Sequence, residues 1–423
     1  MKRVSALLLT CTLGLSALSG CSASAAPQPL SVQPVTISEE EMMRYDLETP
    51  AVWSALSEFG LDLLKTARQE GEGTLLSPLS AALALSMAAN GADGETLDQF
   101  REVLGDGASL EALNVSCSAL MKLYGGLGGS TECSIANSLW TDPEGRMQED
   151  FVGRCSGIFD AQVFQEDLSA PVIVPALNSW VSDHTAGMIP QIIQRPFGED
   201  AAALMVNALY LKNTWAAKFD PSDTITRDFT RADGTAEPLD FLQHFSRSLT
   251  YLQSGSDEGV LLPYDDGRLA FFALMPRQSS GVPDFERWLS SLTGEGLSAL
   301  LSGRDETFFL RLSLPKFEQE WSGELKDALA ALGLTDAFDP DLADFSLLGD
   351  DPRGYYLSQV IHAARIEVNE EGTEAAAATV VAAASGAAPP QEGVPLIFAR
   401  PFLYGIVDLQ NGVPLFLGTF EGL

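Results

Sequence analysis

The stretch that most constrains this chain runs from Ile366 to Pro390, IEVNEEGTEAAAATVVAAASGAAPP. A strand-like opening meets two acids and Gly372, then a long row of small residues, then prolines. Alanine is the best helix former, so Glu374 to Ala378 taken alone reads as helix, and the composition also suits a linker. A strand is the third reading. Side chains alternate faces along a strand, so Thr373, Ala375, Ala377, Thr379, Val381 and Ala383 share one side. All six are small or β-branched and uncharged, so that face can slide beneath a sheet without steric conflict. Gly372 supplies backbone freedom where the segment would swing. The segment can then be an exposed loop first and a buried strand later, a transition that releases stored strain.

The rest of the chain mixes helices and strands without steady βαβ alternation, which favours α+β. Ala201–Leu211 is apolar except for Asn207, as in a central strand covered on both faces. Helical spacing marks 51–68, an almost wholly apolar 78–89, 94–104 and 110–123, with a further amphipathic helix expected over Trp321–Leu332. Strand-like runs occupy 268–275, 308–314, 355–368 and 402–420.

The 423 residues carry 58 acids against 25 Lys and Arg, a net charge of −33. Phosphate-backbone binding needs clustered cations, so nucleic acid and anionic membrane surfaces are excluded as partners. At the N-terminus Lys2 and Arg3 precede an apolar run from Val4 to Leu18, ending in Leu18-Ser19-Gly20-Cys21. That pattern predicts a secretory signal over 1–20 and lipidation of Cys21. Residues 21–49 read as a tether and 50–423 as the folded domain. The protein is accordingly expected on the outer face of a bacterial membrane, or released outside the cell, touching lipid only through Cys21. Cys117, Cys133 and Cys155 remain; an odd number without CxxC spacing fits neither a zinc site nor a dense disulfide framework. At most one pair can form, and buried free thiols suit them better.

Catalytic signatures are missing. His184, His244 and His362 are the only histidines, none in HExxH, and no GxSxG elbow occurs. The glycines after Tyr124 (Gly125, Gly126, Gly128, Gly129) lack a following Lys-Ser/Thr, so they read as a flexible loop and not a phosphate cradle. No metal, cofactor or enzymatic activity is expected.

Six blocks in order carry a more specific signal: Leu76-Ser77-Pro78-Leu79-Ser80; Asn178-Ser179-Trp180-Val181 with Thr185-Ala186-Gly187-Met188-Ile189; Asn207-Ala208-Leu209-Tyr210-Leu211-Lys212-Asn213-Thr214-Trp215; Leu314-Pro315-Lys316-Phe317; Ala331-Leu332-Gly333-Leu334-Thr335-Asp336; and Arg400-Pro401-Phe402-Leu403. With the hinge Glu370-Glu371-Gly372-Thr373-Glu374-Ala375-Ala376-Ala377-Ala378-Thr379, the chain resembles the serpins, in particular a bacterial inhibitory serpin, over almost everything after Thr49.

The resemblance implies three β-sheets with about eight or nine helices and a reactive-centre loop over about 370–394. It implies a monomeric suicide inhibitor, in which a serine protease acylates on the loop and is dragged away as the loop inserts. Ser77, Ser80, Asn207 and His362 would form the central shutter. Trp215, with a Lys316–Glu370 ion pair, would stand where the loop enters. Gly73 departs from the family's usual Asn and puts part of the shutter in doubt. The family register makes Gly386–Ala387 the reactive bond, with Ala384–Ser385, Ser385–Gly386 and Ala387–Ala388 as alternatives, because the far side of the loop is about four residues long in excess. From Glu374 to Pro395 there is no Lys, Arg, aromatic residue or Leu. A shallow elastase-like pocket, or a broad subtilisin-like cleft, therefore suits this loop better than a trypsin pocket. The other function open to the family is a non-inhibitory surface binding or carrier protein.

Overall fold

The computed structural model describes residues 27–198, 201–246, 249–277, 284–303, 308–351, 354–373 and 393–423. Its centre is the helix Pro78–Ala89, which contains no charged residue and is buried on every side. Ser77 starts it, its Oγ accepting the Ser80 N–H at 3.3 Å while Pro78 supplies a preset φ. The helix Thr49–Ala67 packs across it with Val52, Leu56, Phe59 and Leu63 inward. Gly60 makes that crossing possible, since a Cβ there would lie 2.6 Å from the Pro78 ring.

Among the described residues there are three larger sheets besides a two-stranded ladder of Arg146–Met147 with Gly349–Asp350, and the helix packs on the first and third of them. One has six strands, Thr74–Leu76, Pro414–Phe420, Phe402–Asp408, Leu269–Pro276, Asp257–Pro263 and Thr250–Gln253 in spatial order. A second has four, Val394–Ile397, Leu310–Pro315, Ala236–Ser246 and Ile225–Thr230. The third, the main sheet, comprises β1 (Glu132–Thr141), β2 (Gln162–Gln165), β3 (Ala203–Thr214), β4 (Phe317–Glu324), β5 (Leu357–Val368) and β6 (Gly372–Thr373), in the order β4-β5-β6-β3-β1-β2. The large core lies against one face of this sheet. On the other face a smaller cluster gathers Trp140, Phe164, Leu177, Trp180, Leu204 and Ile361. Central β3 is thus buried on both sides, which is why its sequence is a nearly unbroken apolar run.

The fold departs from the sequence reading in four places. The helix expected over Trp321–Leu332 is only Lys326–Ala331; Trp321 to Glu324 belong to β4, paired with β5 from Phe317↔Val368 to Glu324↔Ile361. Alternating exposure of Phe317, Glu318, Gln319 and Glu320 marks an edge strand, where cross-strand pairing overrides helical spacing. The described residues contain ten α-helices, not eight or nine, one being the short Glu39–Tyr45. The run over 402–420 is two strands of a hairpin. Finally, residues 27–48, read as a tether, lie against the body: Leu30 N–H donates to Val163 O at 2.7 Å and Val35 N–H to Gly153 O at 2.8 Å. Gly157 accepts that crossing, since a Cβ there would sit 2.1 Å from Val35 O. Cys117, Cys133 and Cys155 are all free, and burial pushes the Cys133 thiol up to about 12.

Candidate functional site

The main sheet is closed at one end and split at the other. β5 and β3 pair in parallel from Leu357↔Ala203 to Ala363↔Ala208, and beyond that they part. β6 stands in the opening, Thr373 lying opposite Val368 of β5 and Asn213 of β3. The offset between β5 and β3 across Thr373 equals the offset in the closed part, where His362 faces Asn207. A longer strand could therefore replace the direct pairing without any slip in register. Gly372 is the only residue type that fits its place, because a Cβ would meet Asn213 O at 2.0 Å.

The chain entering β6 is held tightly. Trp215 Nε1–H donates to Asn369 O at 2.8 Å and Trp215 N–H to Glu371 O at 2.9 Å, while Phe219 N–H donates to Glu370 O at 3.0 Å. Asn369 Oδ1 accepts the N–H groups of Glu371 and Gly372, which shapes the turn between β5 and β6. Lys316 Nζ meets Glu370 at 2.9 Å, Thr224 Oγ1 donates to the same carboxylate at 3.0 Å, and Lys218 pairs with Glu371. Burial alone would raise the Glu370 carboxyl; the bonds from Lys316 and Thr224 outweigh it and leave it below its ordinary value. Trp215, Lys316, Glu370 and Glu371 were named from the sequence. Asn369, Thr224 and Lys218 were not, although an Asn beside two acids and a Gly is a turn signal.

Just below the split, where β5 and β3 still pair, lie the other sequence candidates. His362 Nε2 accepts the Ser77 N–H at 3.0 Å, and Ser77 Oγ donates to Leu415 O at 2.7 Å. Burial lowers the imidazole to about 4, so His362 is neutral at physiological pH. Asn207 Nδ2 donates to Asn137 Oδ1 at 2.6 Å, and Asn137 passes the chain on to Phe159 O at 3.1 Å. Asn137 escaped the sequence reading, since a single Asn in a strand carries no local signature. Asn207 Oδ1 and Ser80 Oγ have no hydrogen-bond partner among the described residues. Beside Gly73 the space is taken by the Gln319 amide, 3.1 Å from where a Cβ would lie.

A split sheet with its hinge seated and a buried polar centre below is an arrangement with known relatives. The family described as "Serpin (serine protease inhibitor)" matches residues 54–422. The chain belongs to the serpin family. Serpin-ZXA of Oryza sativa subsp. japonica is 32% identical over 362 residues, covering 82% of this chain and 89% of that protein. Among solved structures, the thermophilic serpin Tengpin in its native state is similar with a TM-score of 0.81 at 30% identity, covering 94% of this chain and 97% of that one. Tengpin in its latent state gives 0.74 at 29% identity, covering 92% and 100%. Serpins are in general inhibitors of proteases and not catalysts. In this serpin the hinge positions Glu374 to Thr379, the reactive-bond candidates Ala384 to Ala388, and Cys21 lie outside the described residues. The strand Val394–Ile397 pairs in parallel with Leu310–Ser313. Among the described residues no group of side chains could hold a metal ion, and no helix is long and apolar enough to cross a membrane.

Proposed function

We propose that this serpin is an inhibitory one, which traps serine proteases as acyl-enzymes by inserting its reactive loop between β5 and β3. The observation that carries the proposal is the register of β6. Extended downward, it sets Ala375 between Ile366 and Leu211, Ala377 between Ala364 and Leu209, Thr379 between His362 and Asn207, and Val381 between Val360 and Met205. The apolar members of these pairs all belong to the large core. The row of small residues is thus the row that would turn inward. The strand would reach Ala383 opposite Ala203, the last paired residue of β3, and Gly386–Ala387 falls just beyond that end. An acylated protease would then arrive at the far pole with little slack. The greater likeness to native than to latent Tengpin accords with a loop that has not yet inserted.

The absence of long side chains in the loop favours elastase-like or subtilisin-like targets, and the N-terminal pattern favours attachment to the outer face of a membrane through Cys21. Incubation at equimolar ratio with pancreatic elastase, subtilisin and trypsin tests this reading. The expected result is an SDS-stable complex with the first two and none with trypsin, with the released C-terminal fragment beginning at Ala387. Cleavage without any complex would assign the chain to the binding or carrier serpins, and a fragment beginning after Arg400 would overturn the reactive bond.

A further inference from the structure

The two rungs on which the hinge first seats are Asn213 and Thr214 of β3, opposite Thr373 and Gly372. They lie past the end of the neighbouring strand, because the β1–β3 ladder stops at Glu132↔Lys212. Something other than a strand must hold them. The turn Tyr264-Asp265-Asp266-Gly267-Arg268 and the glycine loop that ends at Ser130 and Thr131 do so together. Asp266 Oδ2 accepts from Asn213 Nδ2 at 2.5 Å and from Thr131 Oγ1 at 2.8 Å. Its Oδ1 accepts the N–H groups of Arg268 and Leu269 at 2.7 and 2.8 Å, which fixes the carboxylate in its own turn. Ser130 Oγ donates to Asp265 Oδ1 at 2.9 Å, and the Thr214 N–H donates to Ser130 Oγ at 3.2 Å. The Asp265 N–H closes the set on Thr214 O at 2.9 Å.

The same turn reaches the hinge itself. Tyr264 stacks on Trp215 with ring centroids 4.9 Å apart and planes 6° from parallel. Its buried hydroxyl lies beside that of Thr373, and neither has another hydrogen-bond partner among the described residues. The glycine loop, which no other part of the function uses, has a structural reason in this setting. Gly129 has φ +69°, and a Cβ there would meet Asp265 Oδ1 at 2.8 Å, so the loop can lie this close to the turn only as glycine.

We infer that Asp266 is a positioning residue for loop insertion: with Asp265, Ser130 and Thr131 it clamps the end of β3 that β1 leaves unpaired, presenting Asn213 and Thr214 to the hinge. The inference rests on the inhibitory reading. Insertion competes with deacylation of the trapped protease, so a loose receiving edge sends more of the acyl-enzyme to hydrolysis. Loop recognition and acylation, which occur away from this turn, are left as they are.

Asp266→Asn isolates the clamp from the turn. The new side-chain oxygen still accepts from Arg268 and Leu269, whereas its amide group meets the Asn213 amide donor to donor and keeps Thr131 only if that hydroxyl turns to accept. The stoichiometry of inhibition of pancreatic elastase is expected to rise at least twofold while the rate of loop cleavage is unchanged. Amide exchange at Asn213–Trp215 and Gly372–Thr373 in the intact protein is expected to quicken about tenfold. Adding Asn213→Asp restores a hydrogen bond with its polarity reversed, and both readouts should return toward wild type. Wild-type stoichiometry and exchange in Asp266→Asn, or a double variant no better than the single one, would overturn the inference. If wild-type protein forms no complex with any protease, the inhibitory reading falls, and the exchange measurement still decides the clamp.

Discussion

Two substitutions one residue apart test insertion directly, Ala377→Glu and Ala376→Glu. The proposed register would set position 377 between Ala364 and Leu209, both within the core and 0% and 2% exposed. Position 376 falls on the opposite face, opposite Arg365, whose guanidinium bonds Met188 O and Glu318 and is partly open to water. A carboxylate beneath the sheet at 377 would have no cation beside it, and desolvation would raise its pKa by about three units, or about 4 kcal/mol. If the insertion transition state feels half of that, insertion slows by roughly thirtyfold relative to hydrolysis. At 376 the same group gains a guanidinium neighbour, and insertion is little changed. Titration of elastase followed by denaturing gels should show Ala377→Glu cleaved almost entirely as substrate and Ala376→Glu still forming complexes near equimolar ratio. Both intact variants should melt with wild type. Equal stoichiometries for the two would refute the parity argument, and with it the register on which the proposed mechanism stands.

Nicking the loop should raise the melting temperature by at least about 10 °C, because insertion adds roughly ten backbone hydrogen bonds at about 1 kcal/mol net each; equal melting before and after would mean that the strand does not insert. His362, held neutral down to about 4 by burial against an ordinary 6.5, makes the unfolded chain the better proton binder between those values. Stability should therefore be complete above pH 6.5 and fall by about 3 kcal/mol as pH drops to 4, a slope that denaturant titrations of a His362→Gln variant should lack. Cys21→Ser should move the protein from the membrane fraction to the medium in a host that lipidates such signals; unchanged retention would refute the anchor.

The entry to the hinge, Glu370 to Thr373, was legible because its message is local, while the small residues that follow lie outside the described residues. Period-two small residues after a glycine state which face can be buried, whatever they are buried against. The central strand was equally readable, since Ala203 to Leu211 must be apolar on both faces when clusters press from both sides. The misreadings share a different cause. Trp321, Leu325 and Leu329 satisfy helical spacing, yet Trp321 is placed by its pairing with Ala364, more than forty positions away in the chain. Asn137 and Asp266 are single polar residues whose partners are set by tertiary contact, so the sequence beside them does not name those partners, whereas Asn369 sits in a turn that its neighbouring acids and glycine do signal. The docking of residues 27–48 was hidden for the same reason: the glycines that admit it, Gly153 and Gly157, sit on a helix more than a hundred residues later.

Two of the buried polar atoms left without partners among the described residues, Asn207 Oδ1 and Ser80 Oγ, lie at the centre of the molecule. They lie just below the split, where β5 and β3 still pair, while Thr373 Oγ1 and the Tyr264 hydroxyl at its top lie beside each other. Each orphaned group costs about 1–3 kcal/mol, and an apolar replacement of similar shape would remove that cost. A sequence shaped only for the stability of this conformation would have filled these positions with Val, Leu or Phe, as it has elsewhere in the same strands. The inserted register offers the reason for keeping them. It would carry the Thr379 hydroxyl to the level of Asn207 and His362, where the Asn207 Oδ1 acceptor lies in a dry setting that would strengthen any bond made there. The polar centre is thus a poor fit to the sheet as it stands and a good fit to the sheet with one strand more. In the proposed mechanism that difference would add to the drive for insertion beyond the backbone ladder, through the few side chains at the closed part of the sheet.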